Sequence, residues 1–241
     1  MKKTLGIAFA GIVAALALVV TAFAADSAAP IKTLIVGGGS SHDFNKWFRD
    51  ADLAILSGPQ FQAKYTDQVG TVTEQLGGID VLYLSNNQPF TNAATRSAIF
   101  DFANSGKGLV LVHPALWYNW RDWPEYNQKL VGGGARSHDK YGEFEVTIDQ
   151  PDHPVVRGLP KTFRIKDELY HFQKDINGSA FDVLATGRNL ETGKTYPVVW
   201  VTKHPKARIV CITLGHDGEA HQHEAWKPLL KNAVGWAAAQ K

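Results

Sequence analysis

Short apolar runs separated by segments of helical spacing constrain this chain more than any other feature. Residues 33–36, 81–84 and 109–112 are almost wholly aliphatic or β-branched. An unbroken apolar run of that length predicts a strand buried on both faces. Between the first two, Phe44, Trp47, Phe48, Ala51 and Ile55 recur at helical spacing, with Ser41 or Asp43 as a cap. Residues 62–66 form a further strand candidate. Thr91 is the expected cap of a second helix carrying Ile99, Phe102 and Ala103, and Gly106 its stop. This alternation predicts a parallel, doubly wound α/β sheet. Later, residues 144–148, 162–165, 181–185, 197–202 and 207–214 follow one another with little helix between them. They predict antiparallel additions to that sheet. A closing helix is expected over residues 225–239, with Leu229, Leu230, Ala233, Val234 and Trp236 on its inner face.

The ends and the charge narrow the setting. Lys2 and Lys3 precede an apolar stretch from Leu5 to Val20, and Ala22-Phe23-Ala24 offers a small-x-small cleavage site. The expectation is an export signal over residues 1–24, a linker over 25–31 and one domain over 32–241. No second long apolar run follows, so no stable membrane association is expected after cleavage. The destination is the periplasm or the medium. The chain has 25 basic and 23 acidic residues. Removal of Lys2 and Lys3 balances them, which leaves no electrostatic footprint for nucleic acid. Cys211 is the only cysteine. It cannot form an intramolecular disulfide, and its apolar surroundings read as a buried thiol.

Three histidines stand where expected strands run out. His42 follows the first strand and Gly37-Gly38-Gly39, His113 closes the run 109–112, and His216 follows 209–215. In a parallel sheet the carboxyl ends share one edge, where ligands bind. His113-Pro114 occupies a strand-to-helix elbow that holds the nucleophile in several hydrolytic folds. Here it carries an imidazole, which binds metals or moves protons near neutral pH. His138 lies in an expected flexible loop after Gly132-Gly133-Gly134. Asp167 and Glu168 are adjacent on an extended segment, so only one of them should face a given site. His221 and His223 read as a surface loop. Gly37 to His42 lacks both the GxGxxG spacing and a P-loop lysine, so no nucleotide is expected. Trp117-Tyr118-Asn119-Trp120-Arg121-Asp122-Trp123 is too polar for a simple core segment.

The ordered set of motifs resembles the ThuA-like family, named for trehalose utilisation, over residues 32–239. The set comprises Val112-His113-Pro114-Ala115, Trp123-Pro124-Glu125-Tyr126, Leu130-Val131-Gly132-Gly133, residues 152–160, Lys166-Asp167-Glu168-Leu169-Tyr170 and Leu214-Gly215-His216. The resemblance implies a class I glutamine amidotransferase-like fold, a flavodoxin-like three-layer α/β sandwich. It places His113 near the amidotransferase nucleophilic cysteine, so glutaminase chemistry is not expected. It also implies sugar catabolism through 3-keto-sugar intermediates.

The combined expectation is an exported sugar-processing hydrolase, lyase or isomerase. His113, His138, Glu168 and His216 are its candidate catalytic residues. His113, Glu168 and His216 are candidate ligands of a divalent metal, zinc or another transition ion. His42, Trp117, Tyr118, Asn119, Trp120, Arg121 and Tyr170 are candidate contacts to a small carbohydrate. The alternative is a non-catalytic carbohydrate-binding or accessory protein with the same cleft.

Overall fold

A computed structural model describes Met1 and residues 29–239. The remainder of the expected export signal, and residues 25–28 of the expected linker, lie outside the described residues. The strands are β1 (Ile31–Val36), β2 (Phe61–Thr66), β3 (Val81–Leu84), β4 (Gly108–Val112), β5 (Gly133–His138), β6 (Gly142–Ile148), β7 (Thr162–Asp167), β8 (Tyr170–Lys174), β9 (Phe181–Asn189), β10 (Thr195–Thr202) and β11 (Ile209–Ile212). Nine of them form one sheet in the order β2-β1-β3-β4-β11-β10-β9-β6-β7. The first five run parallel, in the order of flavodoxin-like folds. The last four extend it with antiparallel pairings. The expected parallel centre with antiparallel additions is the fold observed. Strands β5 and β8 pair as a separate ribbon.

Alternation along each central strand feeds two cores. Val110 and Val112 of β4 join Ile35, Tyr83, Val210 and Ile212 beneath the helix Trp226–Ala238. Leu109 and Leu111 join Leu34, Leu82, Ile209 and Cys211 beneath the helix Ala93–Asn104. Two covered faces make three layers and explain why these strands read as unbroken apolar runs. Gly108 is required by contact: a Cβ there would overlap the Ala237 backbone of the closing helix.

Several local expectations are corrected. Residues Asn45–Ala51 form a π-helix that continues as α-helix Asp52–Ile55, with Phe44 and Phe48 buried as the spacing predicts. Asn92, and not Thr91, caps Ala93–Asn104, its side-chain oxygen accepting from the Ala94 N–H at 2.8 Å. His138 ends strand β5 and does not sit in a loop. His221 is buried in the short helix Gly218–His221, because its ring finds acceptors on two sides. Trp120 and Trp123 are core residues after all. They pack with Phe90 and Tyr126 in an aromatic cluster, while Arg121 and Asp122 between them face outward.

No helix among the described residues is long and apolar enough to cross a membrane. The Asn92→Ala variant should lose about 1 kcal/mol of stability. Urea unfolding should show a lower midpoint with an unchanged slope; an unchanged midpoint would count against the cap.

Candidate functional site

The carboxyl edge of the parallel strands gathers four side chains. His42 follows β1, His113 follows β4, His216 follows β11, and Glu168 arrives between β7 and β8. One ligand atom from each lies within 4.8 Å of the others. The expected trio His113, Glu168 and His216 is therefore brought together, and His42 joins it as a potential fourth ligand. Glu168 Oε2 lies 3.2 Å from His216 Nδ1 and 3.6 Å from His113 Nε2.

Backbone geometry fixes how His113 is presented. Its φ of 44° makes it the only non-glycine with positive φ among the described residues. Its ring is fully buried, and Nδ1 lies 2.6 Å from the Thr213 carbonyl oxygen. A carbonyl only accepts, so Nδ1 carries the proton and donates. The opposite nitrogen, Nε2, then presents a lone pair to the Glu168 carboxylate when the ring is neutral. His138 repeats the pattern: Nδ1 donates to the Asp139 carbonyl at 2.7 Å, and Nε2 stands 3.6 Å from Glu168 Oε1. Lone pairs aimed at a carboxylate repel unless a cation, proton or metal, lies between them.

The same conclusion follows from unpartnered atoms. His42 Nε2, His113 Nε2 and His216 Nδ1 are all buried and complete no hydrogen bond, although His216 Nδ1 stands 3.2 Å from Glu168 Oε2. Buried polar atoms are ordinarily paired, so three orphans converging on one carboxylate fit a metal-ligand set. Burial, reinforced by the His113 and His216 rings, lowers His42 to about 3, which keeps it neutral as a ligand must be. Burial alone would raise the Glu168 carboxyl. The His113 and His216 rings outweigh that effect and hold it well below the usual carboxylate range. In return the Glu168 carboxylate raises His216, against the opposing effect of burial.

Adjacent carboxylates divide as the sequence predicts. Glu168 faces the cavity, and Asp167 is fully buried behind it. Asp167 accepts the N–H groups of Glu168, Gly215 and His216 at 2.7, 2.8 and 3.3 Å. It thereby ties two ligand-bearing segments together.

The cavity above the cluster measures about 260 Å³ and is lined by Ser41, His42, Asn87, Pro114, Trp117, Asn119, His138, Glu168, Tyr170 and His216. Trp117 and Tyr170 meet edge to face at 5.2 Å, and Tyr170 lies 4.6 Å from the His113 ring. Of the expected carbohydrate contacts, His42, Trp117, Asn119 and Tyr170 line this cavity. Three do not. Trp120 is held in the aromatic core, and Arg121 is exposed on the outward side of its turn. Tyr118 lies under the Arg136 guanidinium at 4.2 Å, away from the lining. Ser41, expected only as a helix cap, and Asn87, not expected from the sequence, also line the cavity. Asn87 follows the end of β3, so the strand-end logic that found the histidines applies to it too.

The fold and site together define a flavodoxin-like α/β protein whose strand-end elbow holds a histidine within a His/Glu cluster. The chain belongs to the ThuA family, described as trehalose utilisation, whose model matches residues 32–237. Among solved structures it is similar to ThuA-like proteins from Parabacteroides merdae and Bacteroides uniformis. The first is 24% identical, with a TM-score of 0.77 over 87% of this chain and 90% of that one. The second is 23% identical, with a TM-score of 0.73 over 87% and 92%. A protein assigned as a GMP synthase component from Thermoplasma acidophilum is 13% identical, with a TM-score of 0.53 over 87% and 94%. These likenesses show the fold. No curated protein matches the chain.

The paired shifts predict a pH profile for the metal-free protein. Glu168 sits below its unfolded value, so its stabilisation is full above the ordinary carboxylate range and is lost as pH falls through its folded value. His216 sits above its unfolded value, so its stabilisation is full below the ordinary histidine value and is lost as pH rises through its folded value. Urea unfolding across pH should show both limbs in the wild type and flattened limbs in Glu168→Gln. Superimposable profiles would refute the pairing.

Proposed function

We propose that this protein is an exported, metal-assisted enzyme acting on a neutral glycoside or 3-keto-glycoside, as a hydrolase, lyase or isomerase. The observation that carries the reading is the convergence of three buried imidazole nitrogens on one carboxylate, beside a cavity that His42, Glu168 and His216 line. His42, His113, Glu168 and His216 would hold a divalent transition ion, which supplies Lewis acidity toward a substrate oxygen.

The remaining lining supports a carbohydrate. Pro114 aside, its side chains among the described residues are neutral hydroxyl, amide, aromatic and imidazole groups, which suit the hydroxyls and C–H faces of a sugar. Its volume lies just below the roughly 300–1,000 Å³ of typical small-molecule sites and suits one sugar ring. Trp117 offers an apolar face to sugar C–H groups, and Ser41, Asn87 and Asn119 offer hydroxyl partners. His138 is the proton acceptor. Its Nδ1–H is engaged by the Asp139 carbonyl, so in the neutral ring the lone pair belongs to Nε2. The family's association with trehalose utilisation agrees with a sugar substrate. Export rests on the basic and apolar pattern of residues 1–24.

Calorimetric titration with Zn²⁺ or Co²⁺ should find one tight site per chain. His113→Ala and Glu168→Gln should weaken it by more than the roughly 10- to 100-fold typical of outer-shell changes. Turnover of 3-keto-glycosides should be lost in both. In His138→Ala turnover should fall by roughly 100-fold or more while metal is retained. No metal uptake and no turnover, with sugar affinity retained, would replace this reading by that of a binding protein.

A further inference from the structure

A second buried polar network lies beneath the candidate centre. Asp52 and the His221 ring are both completely buried. Asp52 Oδ1 accepts from His221 Nδ1 at 2.9 Å and from Trp226 Nε1 at 3.0 Å, and Oδ2 accepts from the Tyr83 hydroxyl at 2.7 Å. Three donors from three elements thus meet one carboxylate. The far side of the imidazole does not end in this network. Nε2 lies 3.1 Å from the Gly215 carbonyl oxygen, which can only accept.

That contact acts on His216. Gly215 has φ of +115°, a conformation that favours glycine, and a Cβ there would press on Trp226 and approach His221 Nε2. Its N–H and that of His216 are held by Asp167, and its carbonyl is held by His221. The turn that aims the His216 ring is therefore gripped on both sides by buried side chains. His221 also reaches the other flank of the cluster. Its ring meets Phe48 edge to face at 4.9 Å, and His42 packs on Phe44 and Phe48 at 5.5 and 6.3 Å.

We infer that the Asp52–His221 pair positions the candidate metal centre, fixing the aim of His216 through the Gly215 carbonyl and supporting His42 through Phe48. The inference rests on the metal-binding reading above. A buried carboxylate is costly to desolvate, and apolar residues of similar volume commonly replace such groups without loss of stability. Stability alone does not call for a chain of bonds that ends at a ligand-bearing turn. Orientation of ligands by outer partners does.

Co²⁺ titration of the full chain, read by its visible absorption bands, tests this with urea unfolding as a parallel readout. Asp52→Asn and His221→Leu should lower Co²⁺ affinity roughly 10- to 100-fold and shift the bands. His221→Gln, which keeps a donor for the Gly215 carbonyl, should recover part of both. Tyr83→Phe removes a bond to Asp52 but leaves His221 engaged, so it should alter unfolding without moving the bands. Folded Asp52→Asn or His221→Leu proteins with wild-type affinity and bands would overturn the inference. Equal band shifts in Tyr83→Phe and Asp52→Asn would also overturn it. A wild type that takes up no Co²⁺ would refute the metal reading. The ¹⁵N imidazole resonances of His216 in the metal-free variants would still report whether the ring loses its orientation, and unmoved resonances would overturn the positioning role.

Discussion

The parallel pairing of β4 with β11 is the constraint on which the site depends. The two strands run in register from Leu109 beside Ile209 to Val112 beside Ile212. The next residue on each strand is then His113 or Thr213, and the Thr213 carbonyl takes the His113 Nδ1 proton. That single bond sets the tautomer of a fully buried ring and turns its other nitrogen toward the Glu168 carboxylate. The same pairing delivers Gly215 and His216 three to four residues past β11. A slip of one residue in either strand would exchange that strand's two core faces and part His113 from the Thr213 carbonyl.

Strain concentrates at the point where the pairing ends. His113 adopts a φ that a side chain rarely accepts, at a cost of about 1–3 kcal/mol. The cost is sustained because Val112, Pro114, Ala115 and Leu116 around it are all buried. The strand-end elbow presents an imidazole, and the only cysteine, Cys211, lies inside β11 with its thiol pushed up by burial. Architecture and chemistry are separable in this chain: the sheet provides the edge, and the strand-end residue decides what happens there.

Electrostatics complete the arrangement through two carboxylates with opposite fates. Burial raises Asp167 against the nearby His113 ring and the backbone N–H groups that it accepts. Glu168, one residue away, is held low by the imidazoles it faces. One stiffens the backbone, and the other offers charge to the cavity. The two-residue period of an extended chain makes that division automatic.

Much of this was written in the chain. Unbroken apolar runs could only be strands covered on both faces, so the layered fold and the strand ends carrying His113 and His216 were legible from local pattern. The division between Asp167 and Glu168 was legible for the same reason. His42 was legible as a strand-end residue, but not as part of a ligand set, because that depends on distances among β1, β4 and β11. Trp120 and His221 misled for a related reason. Polar neighbours suggested surface, yet burial follows from what the rest of the chain places around a residue: Phe90 and Tyr126 around Trp120, Asp52 and Gly215 around His221. Local sequence determined which elements form and which residues stand at their ends. Only tertiary packing decided which of those residues meet, since hydrogen-bond partners such as Asp52 and His221 are selected by the fold across the whole length of the chain.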